Sequence, residues 1–241
     1  MVTLQENTVK FNNHLIVSHD GGRLSSDSGL ILIDELMDAF KFTQLSEAIV
    51  LFKENRKYWM HSNHKILKQL VLQIIAGYDT DSAANLLQHD PVLQTLLPDG
   101  HLVSQSSISR ILKRVTKGTI DSFQVFNQAL IDQARLVRND TNMVIDLDST
   151  HSDTFGNQEQ TAYNAHYKTT GYHPLVAFDG LTGDFLKAKL RSGNQYTSNG
   201  VKEFLDPLLE HYNQIVPTTD ILVRGDRGFA TPVIYDFCAL Y

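Results

Sequence analysis

The chain has 241 residues, 42% of them hydrophobic and 20% charged, with a formal net charge of −6. That composition fits one large domain or two modest ones and excludes a disordered chain, a collagen-like repeat and a disulfide scaffold. The single cysteine, Cys238, has no internal partner, no apolar run approaches the ~18 residues that span a bilayer, and the first residues do not read as a signal peptide, so the expectation is a reduced, soluble, cytoplasmic protein.

The acidity is uneven. Residues 1–140 carry 14 basic against 15 acidic side chains, and residues 141–241 carry 7 against 12. A uniformly basic coat for nucleic acid is excluded. A local basic patch is not, because phosphate binding follows the field at the contact face.

The first segment, with its loose alternation and Gly21–Gly22, reads as a short hairpin or extended arm. From Ser26 the apolar residues Leu30, Ile33, Leu36, Met37 and Phe40 recur at helical spacing, with Ser25, Ser26 and Asp27 as candidate caps. Further helical patterns cover Ile66–Ile75, Ser82–Leu97 with a break at Pro91, and Ile120–Val137. Residues 1–140 therefore form a mostly helical part. At Arg138–Thr141 the texture changes. Met143–Asp148, Tyr172–Phe178 and Asp184–Leu190 read as strands, the last two joined by the turn Asp179–Gly183. A helix follows over Ser198–His211, then a strand at Ile221–Val223 and a helix opening near Thr231–Pro232. The expected class is α+β or α/β, a helical N-terminal part followed, over 141–241, by a domain with a mixed sheet. The apolar helical run Ile234–Tyr241 reads either as a helix docked on the core or as the edge of a larger fold.

Asp146 and Asp148 stand two apart on a strand, which places both on one face, while Ile145 and Leu147 turn to the other. Carboxylates there are costly unless a cation or hydrogen-bond donors offset them. Oxygen-only ligands favour magnesium or manganese over zinc. The bland alternative is a pair of solvated strand-end aspartates. Asp226, in Arg224-Gly225-Asp226-Arg227-Gly228, repeats the arrangement after a later strand, where sites in open sheets gather. Arg191, Arg224 and Arg227 are candidates either to hold a phosphate or to neutralise these aspartates. His151 and His166 are candidates for the cleft wall.

The run Ser104–Gly118 carries Arg110, Lys113, Arg114 and Lys117 as its only charged residues. Small polar residues at its start and basic ones behind suit a recognition helix, with Gln105 and Ser106 at base edges and Arg110, Lys113, Arg114 and Lys117 on phosphates. A solvated basic face on a core helix is the plainer reading. A second basic group, Lys53, Arg56, Lys57, Lys65 and Lys68, is interleaved with Tyr58, Trp59 and His61, which suits either stacking on nucleic acid or an amphipathic face.

The pairing of Asp148-Ser149-Thr150 with Asp226-Arg227-Gly228-Phe229 resembles the DDE transposases. With Tyr163-Asn164-Ala165-His166-Tyr167, Leu190-Arg191-Ser192-Gly193-Asn194, Ser18–Gly22, Ser25–Gly29 and Gln73–Tyr78, the chain more closely resembles the insertion sequence 1380 family of bacterial transposases, over essentially its whole length. The resemblance implies an RNase H-like catalytic core, with catalytic aspartates at Asp148 and Asp226 and Asp146 as a further metal ligand. It implies Mg2+ or Mn2+ as cofactor, double-stranded DNA (terminal inverted repeats and target) as partner, a homo-oligomer on DNA, and a nucleoid-associated, cytoplasmic location. The family's third acid, a glutamate on a later helix, has no counterpart among the fifteen residues after Asp226. The expectation is thus a C-terminally truncated chain, catalytically incomplete by itself. The alternatives are a non-catalytic DNA-binding or inhibitory fragment, and a metal-dependent nuclease drawing a third carboxylate from Asp146 or Asp179.

Overall fold

The computed structural model describes residues 7–9, 12–17, 22, 24–215 and 221–241. The chain divides into two compact units, Met1–Phe126 and Asn127–Tyr241. No helix among the described residues is long and apolar enough to cross a membrane.

The first unit opens with the antiparallel hairpin of β1 (Asn7–Val9) and β2 (Asn12–Val17). A hairpin is one of the two forms expected of this segment, and the pairing of β1 with β2 is that form; Gly21 lies outside the described residues. The run Ser18–Gly22 falls there too, apart from Gly22. Six helices follow: α1 (Leu30–Ala39), α2 (Phe42–Ile49), α3 (Asn63–Ile75), α4 (Ala83–Leu86), α5 (Pro91–Leu96) and α6 (Gln105–Leu112). The next helix, α7 (Lys117–Arg138), gives its residues through Phe126 to this unit and the rest to the second.

Each boundary has a local cause. Lys41, in left-handed geometry at φ 56°, separates α1 from α2, and this break hides α2 from a reading of apolar spacing. Ser62 caps α3 by accepting from the Lys65 N–H. Asp90 accepts from the Val92 and Leu93 N–H groups, and Pro91 takes the first turn of α5, so the proline both stops one helix and starts the next. The cap of α1 falls on Gly29 without a side-chain bond, whereas Asp27 accepts from the Tyr78 hydroxyl.

Ile66, Ala84, Val103, Ile108 and Ile111 form a buried cluster under α3, α4 and α6, with Phe52 packed against it. Gln69 is fully buried there. Its amide donates to the Val103 carbonyl at 3.0 Å and accepts from the Val103 N–H at 2.6 Å, pairing a loop residue that no strand reaches.

The second unit contains β3 (Met143–Ser149), β4 (Ser152–Asp153), β5 (Ala162–Asn164), β6 (Thr169–Tyr172), β7 (Leu175–Asp179), β8 (Phe185–Lys189), α8 (Val201–Ile215), β9 (Ile221–Gly225) and α9 (Pro232–Cys238). The main sheet runs β8-β7-β3-β9. β8, β7 and β3 pair antiparallel in turn, and β9 joins β3 in parallel. A three-strand meander followed by a helix and a parallel fourth strand beside the first is the RNase H-like order. Met143, Ile145 and Leu147 of β3, Leu175 and Ala177 of β7, and Leu186 of β8 form the buried face. It packs on Val201, Phe204, Leu205, Leu208, Leu209 and Tyr212 of α8 and on Ile234 and Phe237 of α9.

The expected strand Tyr172–Phe178 is two strands. His173–Pro174 separates them, because proline has no N–H for a ladder. The part before it, β6, pairs with β4 and β5 in a small second sheet that apolar spacing did not reveal.

Candidate active site

Parallel pairing of β3 with β9 runs from Met143 opposite Ile221 to Leu147 opposite Gly225. Asp148 and Asp226 are the next residues on each chain. Both therefore emerge at the same end of adjacent parallel strands, and both are exposed. The alternation that buries Ile145 and Leu147 sends Asp146 and Asp148 to the opposite face.

The Asp148 Oδ1 accepts from the Ser149 N–H at 2.7 Å. The Asp226 Oδ1 accepts from the Gly228 N–H at 2.8 Å, capping a short 3-10 turn at 227–229 that Phe229 pins into the core. Gly228 is required by space. A Cβ there would lie 2.8 Å from Thr197 Cγ2 and 3.0 Å from Asp226 Oδ1.

Asp146 is engaged differently. Arg224 donates to both its oxygens, Nε to Oδ1 and Nη2 to Oδ2, each at 2.5 Å. This bidentate pair keeps the Arg224 guanidinium charged, its pKa raised by the Asp146 carboxylate. Asp179 is engaged as well. It is 1% exposed and bonded at 2.9 Å to Arg135, itself 4% exposed. Among the described residues no three of His, Cys, Asp and Glu gather as a metal cluster. Asp148 and Asp226 still suit a hard divalent cation in kind. They are exposed carboxylates, each with one oxygen spent on a backbone N–H, and water or phosphate oxygen can complete the shell.

A cavity of about 510 Å³ opens beside Asp146, Asp148, Gly180, Arg224 and Asp226. A second, of about 530 Å³, also reaches Asp226 and is lined by Ser149, Tyr163, His166, Tyr167, Tyr196 and Thr197 among others. Asp148 lines the first cavity, while Tyr163–Tyr167, Asn194 and Asp226, which lie in separate motifs of the sequence, meet in this one wall. Asn164 arranges it, donating to the Gly193 carbonyl at 2.7 Å and accepting from the His166 and Tyr167 N–H groups. Tyr167 stacks on His151, with ring centroids 4.7 Å apart. His173 donates through Nδ1 to the Gln195 carbonyl at 2.8 Å. Tyr196 and Thr197 of this wall stood in no motif, and only their place after Leu190–Asn194 pointed to them.

Arg191 neither neutralises an aspartate nor faces solvent. It is buried, donating to the carbonyls of His173, Tyr196, Thr197 and Asn199, and so fixes the loop that forms the cavity wall. Burial lowers its pKa. Arg227, beside Asp226, is exposed.

In the first unit, α6 buries Ile108 and Ile111 and exposes Ser106, Arg110 and Lys113. Gln105 and Ser109 both donate to Asp81, at 3.0 and 2.6 Å, which holds that glutamine's amide inside the protein. Arg114 turns to Glu54 and Asn63, and exposed Lys117 pairs with Asp121.

Residues 7–240 match the family described as Transposase DDE domain group 1. Among solved structures, the chain is similar to piggyBac transposase in a synaptic complex with hairpin DNA, at 12% identity and a TM-score of 0.38, over 87% of this chain and 47% of that one. It is also similar to the Mos1 transposase paired-end complex with the left transposon end, at 10% identity and a TM-score of 0.28, over 78% of this chain and 60% of that one. The chain thus spans about half the length of the first of these and 60% of the second. No curated protein matches it.

Proposed function

The chain belongs to the transposase DDE domain group 1 family, and on that premise we propose that it supplies the strand-cutting centre of a DNA transposase of the insertion sequence 1380 type. The observation that carries this reading is the β3–β9 register, which ends two exposed aspartates side by side on adjacent parallel strands. In it, Asp148 and Asp226 hold divalent magnesium or manganese, which when bound activates water and aligns phosphoryl oxygens. Arg227 is placed for a phosphate oxygen beside Asp226. Arg224 holds Asp146 on the same face, close to the metal ligands. The cavity wall from Tyr163 to Tyr167 offers rings and amides to the strand being cut. Arg191 and His173 keep that wall in place.

The partner in this reading is double-stranded DNA, first the terminal inverted repeats and then the target, engaged by a homo-oligomer in the bacterial nucleoid. In the first unit, Ser106, Arg110 and Lys113 face it, and the internal bonds of Gln105 and Arg114 assign those two to holding α6 in place.

A second reading is binding without cutting. It is favoured by one observation, that among the described residues no three of His, Cys, Asp and Glu form a metal-holding group, the neighbouring Asp146 and Asp179 being held by arginines. The test is cleavage of duplex DNA carrying the element's own ends by this protein, with Mg2+ and with chelator. Nicks at the ends that need Mg2+ and vanish in Asp148→Ala and in Asp226→Ala are expected. Full cutting by either variant contradicts the assignment. End-specific binding with no cutting selects the second reading.

A further inference from the structure

The connection between α2 and α3, residues 50–62, has no regular structure, yet it is fixed at both ends. Phe52 enters the core shared with Ile108 and Ile111 of α6 and meets Phe123 edge-on, with ring centroids 5.9 Å apart. Glu54 accepts from Arg56 and from the Asn63 amide, and Arg114 at the end of α6 donates to both Glu54 and Asn63. These bonds, those from Arg56 foremost, hold the Glu54 carboxyl far below the usual range. The only acid of the connection is thus neutralised by two arginines, and the connection is tied to the basic helix.

Between these anchors the tip stands out from the fold. Tyr58, Trp59 and Met60 are 91%, 56% and 88% exposed. Three consecutive large apolar side chains held in water by a fixed scaffold mark an interaction surface. The charge around them says which kind. Lys53 and Lys57 are exposed beside the tip, Arg56 lies over the Trp59 ring at 5.9 Å, and Arg110 and Lys113 are exposed on the helix to which the connection is tied.

We propose that Tyr58-Trp59-Met60 is an apolar wedge that enters duplex DNA and stacks on its bases, while Lys53 and Lys57 grip the flanking phosphates. Proteins that bend DNA unstack base steps with such wedges, and the cost is recovered in added contact. Pre-fixing the tip lowers the ordering cost on binding. The wedge rests on the reading of the chain as a DNA transposase, and it adds a contact that the strand-cutting centre does not need.

Trp59 is the only tryptophan of the chain, so its emission reports on the tip alone. The whole chain is titrated with a labelled duplex containing a fluorescent adenine analogue, at low salt, following Trp59 emission, label anisotropy and analogue brightness together. Trp59 is expected to be quenched, and the analogue to brighten, along the same curve as anisotropy rises. Trp59→Ala should weaken binding about tenfold or more, as loss of a stacked base does, with Trp59→Phe restoring most of it. DNA binding that leaves Trp59 emission unmoved and Trp59→Ala unimpaired overturns the wedge and spares the transposase reading. Absence of DNA binding overturns both. A shift of Trp59 emission with protein concentration alone identifies a second copy on the tip and also overturns the wedge.

Discussion

Four aspartates, Asp146, Asp148, Asp179 and Asp226, line one cavity of the second unit, and their partners divide them. Asp148 and Asp226 accept from nearby backbone N–H groups, whereas Asp146 and Asp179 are each held by an arginine. The Asp179–Arg135 pair is buried on both sides. Arg135 also donates to the Asn142 carbonyl and lies over the Tyr212 ring, so the pair braces α7 against the start of β3. Removing one member of such a pair leaves a buried charge uncompensated, at a cost of about 3–5 kcal/mol. Arg135→Met should lower unfolding stability by that order in a urea titration, and Arg135→Met with Asp179→Leu should recover much of it. A single variant as stable as the parent would show that the pair does not bear on folding. At this scale the sequence was only partly legible. It named all four aspartates, but the arginines that take Asp179 and Asp146 lie 44 and 78 residues away, and no spacing rule reaches that far.

At the scale of elements, apolar periodicity located what a buried face dictates. It found α3, α7, α8 and β3, where one face is continuous and packed. It missed α2, because Lys41 breaks the spacing, and it missed β4 and β5, which are short and mostly polar. It also joined β6 to β7, since the sheet change at His173–Pro174 does not interrupt the apolar pattern. The docking of α8 on the sheet leaves a titration signature. The Tyr212 hydroxyl is buried among core residues, accepts from Gln128 at 2.7 Å, and has its pKa raised by burial from 10.0 to about 12. The unfolded chain therefore loses this proton first. Stability from Tyr212 is complete below about pH 10 and is lost as pH rises toward 12. Stability measured across that window should fall less steeply in Tyr212→Phe than in the parent. Equal slopes would show that the hydroxyl is not shielded by α8.

At the scale of the molecule, the net charge of −6 is not one field. Acidic excess lies in residues 141–241, where Asp148 and Asp226 flank a cleft that suits cations. The helical unit carries exposed basic groups on α6 and on the connection at 50–62, besides Lys41 and Lys117, and internal pairs absorb Lys65, Lys68 and Arg114. Composition alone was silent on this, because it counts charges without their partners. The motifs were more informative than the charge. Four short runs of no specificity singly converge on the two cavities beside Asp226. The central claim is that Asp148 and Asp226 together hold a divalent cation, and manganese binding followed by loss of the free-ion paramagnetic resonance signal tests it without DNA. The parent and Asp146→Asn should take up Mn2+, and Asp148→Asn and Asp226→Asn should each lose it. Uptake by both of those variants equal to the parent's would contradict the account.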